Sequence, residues 1–306
     1  MNLSPYPEFR PIEVADKPDF DEALKKFPPK ISEATFTNIY AWRQIYKFSA
    51  ATMDGFIILR SDQTNQPRFF NPIGRGDVKS AIMKILDEAG GSFIRLPEET
   101  KAFFEPETIG RGSLGIPCQG FEIMPDPDNS DYLYKTSDLI KLDGKKYDGK
   151  RNLIKKFKSE HKYEYAALNS SNVNKALDFE DAWCSIKDCD SVECLYHERE
   201  ALREIVANFA NFNLSGGAII VEGMIRAVAI SERLNNNTMV MHILKADPNV
   251  AGLYQVMMND FLAREGKGFE FVNLEQDLGV EGLRKSKLSY HPVEMIRKYT
   301  LTKCKR

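Results

Sequence analysis

The chain has 306 residues, is 42% hydrophobic and 28% charged, and carries a formal net charge of −2. That length allows two ordinary domains with real cores, the composition excludes disorder over most of the chain, and the charge balance excludes wholesale coating of nucleic acid. No apolar run approaches the roughly 20 residues of a bilayer span. The N-terminus Met1–Pro7 has neither the basic start nor the apolar stretch of a secretory signal, so a cytoplasmic location is expected.

In the first half, Phe48–Met53 reads as a strand, Asp54-Gly55 as a hairpin turn, and Phe56–Leu59 as the returning strand. A short strand follows at Arg68–Phe70, then the loop Asn71–Gly76. Apolar residues at Val78, Ala81, Ile82, Ile85, Leu86 and Ala89 mark one face of a helix. Gly90-Gly91 ends it, and Ser92–Leu96 is again a strand. Turn signals at Asp143-Gly144 and Asp148-Gly149 place a domain boundary near residue 145, giving domains 1–145 and 146–306.

The second half opens with a basic helix and then a strand at Tyr163–Leu168. Helices containing Leu177–Ile186 and Arg199–Phe209 come next. Ala218–Glu222 and Arg226–Leu234 form a hairpin through Gly223, and Met239–Leu244, apolar on both faces, is expected at the centre of a sheet. A helix is expected to open at Asp247-Pro248, with Asp247 as its cap. Its apolar stripe runs through Val250, Leu253, Met257 and Phe261, Gly266–Gly268 ends it, and Phe269–Leu274 is a strand. The two halves thus share one order of parts: hairpin, strand, loop, helix, glycine stop, strand. The reading is an α/β (α+β) fold duplicated in tandem, each copy a mixed central sheet flanked by helices.

Five cysteines are an odd number and too sparse for a disulfide framework, so reduced thiols are expected. Cys184, Cys189 and Cys194 with His197 lack the paired-ligand spacing of structural zinc sites, and no metal is expected.

Chemistry concentrates in Asn273–Gly279 and its continuation to Tyr290-His291-Pro292. Asn273 and Glu275 stand at the carboxyl end of a strand, where ligands of open α/β sheets bind. Asp277 follows, equally suited to cap a helix. The short helix beyond carries Arg284, Lys285 and Lys287; Arg284 and Lys287 share a face that suits an anionic or carbonyl-bearing ligand, or is simply a solvated charged face. Tyr290 and His291 can donate or accept a proton, whereas His242 in the central strand reads as a satisfied core residue.

Two further groups address phosphates. Gly144–Lys162 holds eight basic residues against two acidic ones, and within it Lys150, Arg151 and Asn152 suit a tRNA backbone, an anionic lipid surface or a coenzyme phosphate, unless the helix is merely solvated. Val250-Ala251-Gly252 and Gly74-Arg75-Gly76 lie at helix starts, whose free amides fit a pyrophosphate.

Thr37-Asn38, Trp42-Arg43, Asp131–Tyr134, Gly149–Asn152, Asn273–Gly279, Gly282–Lys285 and Tyr290–Pro292 together resemble a bacterial family of soluble proteins. That family is related to the carboxy-terminal domain of phosphatidylglycerol lysyltransferases and is distantly similar to Fem-type aminoacyltransferases. The resemblance implies two tandem GNAT-type acyltransferase domains, the first possibly degenerate. It also implies transfer of an acyl or aminoacyl group, from acyl-coenzyme A or aminoacyl-tRNA, to an amine or hydroxyl of a small molecule or peptide. On that expectation Arg284, Lys285 or Lys287 stabilises the oxyanion, Glu275 or Asp277 orients or deprotonates the acceptor, and Asn273 binds substrate. The rival reading is a non-catalytic module holding RNA, a peptide or a small anionic ligand.

Overall fold

The computed structural model describes residues 2–105, 116–118, 120–187 and 193–304. Packing divides the chain into two units. One comprises Met1–Asp131, Gln276–Arg284 and Met295–Arg306; the other comprises Tyr132–Glu275 and Lys285–Glu294. Where the sequence reading has a single cut after residue 145, each unit is therefore assembled from separated segments.

The first sheet runs, edge to edge, through Arg10–Pro11, Phe48–Met53, Phe56–Ser61, Arg68–Phe69, Ser92–Pro97, Lys298–Lys303, Phe121–Pro125 and Ile116–Cys118. Asp54 and Gly55 both take positive φ (50° and 87°), which matches the twist of the hairpin they close. Helix Val78–Glu88 is capped by Asp77, whose Oδ1 accepts from Ser80 N at 3.0 Å. Its buried face, Ala81, Ile82, Ile85 and Leu86, packs with Phe56, Ile58, Phe69 and Phe93 of the sheet. The last strand of the chain completes this core with Tyr299 and Leu301. It lies between Ser92–Pro97 and Phe121–Pro125, antiparallel to both. Local pattern alone says nothing of so distant a partner, which is why a contiguous boundary seems natural from sequence.

A buried charge network also belongs to this unit. Lys298, fully buried, donates to Glu33 Oε2 and Asp131 Oδ1, each at 2.6 Å. Arg95 donates to Glu33 Oε1 at 3.1 Å, and Ser32 Oγ to Asp131 Oδ1 at 2.9 Å. Two cations and two carboxylates thereby balance one another, the condition on which buried charge is tolerated.

The second sheet runs Tyr163–Leu168, Ser215–Val221, Met224–Arg233, Thr238–Ala246, Phe271–Asn273, Asp131–Lys135 and Glu294–Ile296. Thr238–Ala246 is central, as its two-sided apolar run requires. The helices are Asp148–Glu160, Lys175–Lys187, Glu193–Ala207 and Leu253–Glu265. The last starts later than expected. Asp247 serves an Asx turn to Asn249 N and an ion pair with Arg226, and the chain turns through Gly252 at φ 85° before the helix begins. Leu153 of the basic helix takes up the space there: a Cβ on Gly252 would stand 2.3 Å from its carbonyl oxygen.

Both units share one pairing plan. A hairpin is followed by an antiparallel strand, and that strand pairs in parallel with the strand after the helix over a short stretch only. The parallel register is Arg68↔Ser92 and Phe69↔Phe93 in one unit, and Thr238↔Phe271 to Val240↔Asn273 in the other. Beyond those pairs the parallel ladder ends in each unit.

Candidate functional site

In the second unit the parallel pairing ends at Val240 and Asn273, and His242 follows two residues further along the central strand. Strand Thr238–Ala246 carries a β-bulge against Met224–Arg233: Ile230 faces Ile243 and Ser231 faces Met241, so His242 is the extra residue. A bulge re-aims a side chain, and here it directs the imidazole between two carboxylates. Nδ1 lies 2.8 Å from Glu275 Oε1 and Nε2 lies 2.8 Å from Glu232 Oε1. Each carboxylate oxygen needs a donor, so both ring nitrogens carry a proton and the ring is an imidazolium. Burial opposes that charge, but the bonds to Glu232 and Glu275 and their negative charge outweigh it, holding the His242 pKa up at about 10.

Glu275 is fixed from its own side as well. Its backbone takes φ 57°, its N–H donates to Asn273 Oδ1 at 2.7 Å, and its carbonyl accepts from Tyr132 N at 3.2 Å. Asn273 is fully buried and acts as this clamp, while the Glu275 side chain stays about one-fifth exposed. Glu275 is thus a carboxylate held in a left-handed backbone position at a strand end, with part of its side chain open to solvent.

Lys287 of the same unit reaches the end of this strand. Lys287 Nζ donates to the Leu274 carbonyl and lies 5.7 Å from the Tyr132 ring. Tyr134 Oη donates to the Lys287 carbonyl at 2.8 Å, and Tyr147 Oη to that of Tyr290 at 3.0 Å. Lys150 donates to Ser289 Oγ at 2.7 Å and sits 4.1 Å over the Tyr290 ring. Its burial lowers the ammonium's pKa. Tyr290 is buried, and burial raises its phenol's pKa. Lys285 is exposed, and exposed His291 packs edge-on to Tyr147 at 5.5 Å.

The remaining expected residues fall elsewhere. Asp277 and Arg284 belong to the first unit, where Arg284 forks onto both Asp277 oxygens at 2.9 Å and onto Asp128 at 2.6 Å. Asp277 is not the cap of helix Glu281–Leu288; it closes an Asx turn by accepting from Gly279 N at 2.8 Å. Arg151 bonds the Leu142 and Gly144 carbonyls and pairs with Asp148, and Asn152 is exposed. Val250 and Ala251 form the turn ahead of Gly252. Cys184 is buried and disulfide-bonded, correcting the expectation of a reduced thiol; Cys189 lies outside the described residues. Among the described residues no group of His, Cys, Asp and Glu could hold a metal ion, and no helix is long and apolar enough to cross a membrane.

Sequence reasoning missed the part played by His242 and Glu232. The available signal was a histidine in an otherwise apolar central strand opposite a glutamate, which pattern alone cannot tell from a satisfied core residue.

Fold and site together define a class: two mixed α/β units that share one strand-pairing plan, with a polar cluster where the parallel pairing of the second unit ends. Residues 24–302 match the family model of the phosphatidylglycerol lysyltransferase C-terminal domain, and the chain belongs to that family. It is similar to a conserved protein of unknown function from Bacteroides thetaiotaomicron, with 31% identity, TM-score 0.86, and 96% and 98% of the two chains covered. The fold is shared with L-PGS of Bacillus licheniformis, at 14% identity and TM-score 0.65 over 100% and 95% of the chains. FemX has the fold at 6% identity and TM-score 0.54, over 96% of each chain. An uncharacterised protein of Mycoplasmoides gallisepticum is 26% identical over 56% of this chain, and the match spans 55% of that relative's length.

Proposed function

We propose that the protein transfers an acyl or aminoacyl group from an activated donor to an amine or hydroxyl, working at the strand-end cluster of its second unit. The observation that carries this reading is the bulge-held Glu232–His242–Glu275 array, with Glu275 partly open to solvent. Glu275 would bind the acceptor's ammonium or hydroxyl and take its proton as the carbonyl is attacked. His242 holds that carboxylate in place by donating to one oxygen. Lys287 or Lys285 would supply positive charge to the developing oxyanion, and Lys150 would meet an anionic part of the donor. The bond formed joins the acceptor nitrogen or oxygen to the acyl carbon; the bond broken joins that carbon to the donor's oxygen or sulfur, which leaves with a proton. No covalent enzyme intermediate is needed.

Two observations favour an aminoacyl-tRNA donor over coenzyme A. The Leu153 carbonyl crowds Gly252, where a pyrophosphate would approach the helix start. A second feature of the unit is an open hollow of about 480 Å³ lined by Lys141, Arg151, Lys155 and Lys158, which offers cations to a phosphodiester backbone. The same hollow supports the rival reading, a module that only binds RNA. Glu275→Gln should lower single-turnover transfer at least about 100-fold while leaving tRNA affinity unchanged. Binding of uncharged and charged tRNA with no transfer from either donor by the wild type would favour the module.

A further inference from the structure

The first unit holds a cavity at the end of its own parallel pair. The pairing ends at Phe69↔Phe93, and the cavity, of about 430 Å³, is formed wholly within this unit. That is the size of a small-molecule pocket, at the carboxyl ends of parallel strands where ligands of open α/β sheets bind. Its walls are Ile31, Ile39, Leu59, Phe70 and Ile73, so the body of any occupant is apolar. Four prolines, Pro28, Pro29, Pro72 and Pro97, line it too, and lacking N–H groups they leave the wall poor in donors. The polar residues of the lining are of both signs. Lys26, Lys30 and Glu99 are exposed, and the Lys30 ammonium is paired with the Glu99 carboxylate. Glu33, also on the lining, is buried and already satisfied by Arg95 and Lys298. Thr100 Oγ1, on a short helix after Ser92–Pro97, donates to Asn71 Oδ1 at 2.7 Å.

We propose that this cavity binds a zwitterionic α-amino acid with a large apolar side chain, free or as part of a short peptide. The side chain fills the cavity. The ligand's carboxylate replaces Glu99 on Lys30, and its ammonium replaces Lys30 on Glu99. One exposed ion pair, worth little by itself, is exchanged for two, and no charge is left unmatched. A ligand with only one charged end leaves either Lys30 or Glu99 without its counter-ion, and a cationic side chain cannot enter walls of this kind. The inference is independent of the transfer reaction, since it concerns the other unit.

Calorimetric titration of the full-length protein tests it, with L-leucine, L-phenylalanine and leucyl-leucine as probes. Isocaproate and isoamylamine (leucine without its ammonium or its carboxylate) and L-lysine serve as comparisons. Saturable binding of leucine, phenylalanine or the dipeptide is expected at roughly 10 µM to 1 mM, with every comparison weaker. Preference for the dipeptide over leucine identifies a peptide terminus as the occupant; the reverse identifies the free amino acid. Glu99→Gln, a surface change, should weaken leucine binding about five-fold without weakening isocaproate. Ala34→Phe fills the cavity and should abolish binding while the melting transition is retained. Lysine or isocaproate binding as well as leucine, indifference to Glu99→Gln, or no saturable binding of any zwitterion would each overturn the proposal.

Discussion

Glu275 and His242 show how a residue's neighbours decide its use. A histidine in an apolar strand ordinarily loses its charge on burial, yet here two carboxylates reverse that outcome and fix the ring as a cation. The sign of the pH effect follows. The folded pKa, about 10, is raised above the ordinary value of 6.5, so the stabilisation is complete below about pH 6.5 and is lost as pH rises toward 10. Chemical denaturation of wild type and His242→Asn at a series of pH values should show the stability difference shrinking across that window; a constant difference would contradict the imidazolium assignment. Lys298 is the other decisive residue. Lys298→Met removes one of the two cations that face the buried carboxylates Glu33 and Asp131, and it should cost about 3–5 kcal/mol in urea unfolding. A neutral result would mean the network is hydrated and unimportant.

At the scale of elements, most of the fold is legible in the sequence because most of it is set by local rules. The hairpin turn at Asp54-Gly55, the stripe of helix Val78–Glu88 and the two-sided apolar run of Thr238–Ala246 all appear where composition places them. The start of helix Leu253–Glu265 does not, because Asp247-Pro248 offers a good cap but Arg226 and Asn249 claim the aspartate, and a tertiary neighbour decides the rest. Gly252 is required by that neighbour. Gly252→Ala adds a Cβ against the Leu153 carbonyl at φ 85° and should destabilise the protein by about 2 kcal/mol or more in thermal unfolding. Asn273 and Glu275, expected together at the strand end, are joined by a bond from the Glu275 N–H to Asn273 Oδ1, whereas Arg284 reaches Asp277 and also Asp128, a partner remote in sequence. Spacing on a helix shows which side chains share a face; it does not show what waits opposite that face.

The whole molecule is two α/β units whose segments interleave along the chain. Strand Lys298–Lys303 sits inside the first sheet, so a fragment of residues 1–145 lacks an interior strand, half of the Lys298 network and the Tyr299 and Leu301 packing. Such a fragment should show no cooperative unfolding transition and poor amide dispersion, while the same fragment with residues 295–304 supplied as a peptide should gain structure. A well-folded isolated fragment would restore the contiguous boundary.

The proposed group transfer hinges on Glu275, the strand-end carboxylate of the second unit. Single-turnover transfer from a panel of aminoacyl-tRNAs and acyl-coenzyme A to small amines, followed by mass spectrometry, tests it most directly, comparing wild type with Glu275→Gln at matched stability. The account predicts an acylated amine with the wild type from at least one aminoacyl-tRNA, and a loss of about 100-fold or more in the variant. Equal transfer by both proteins, or product from neither, would contradict it.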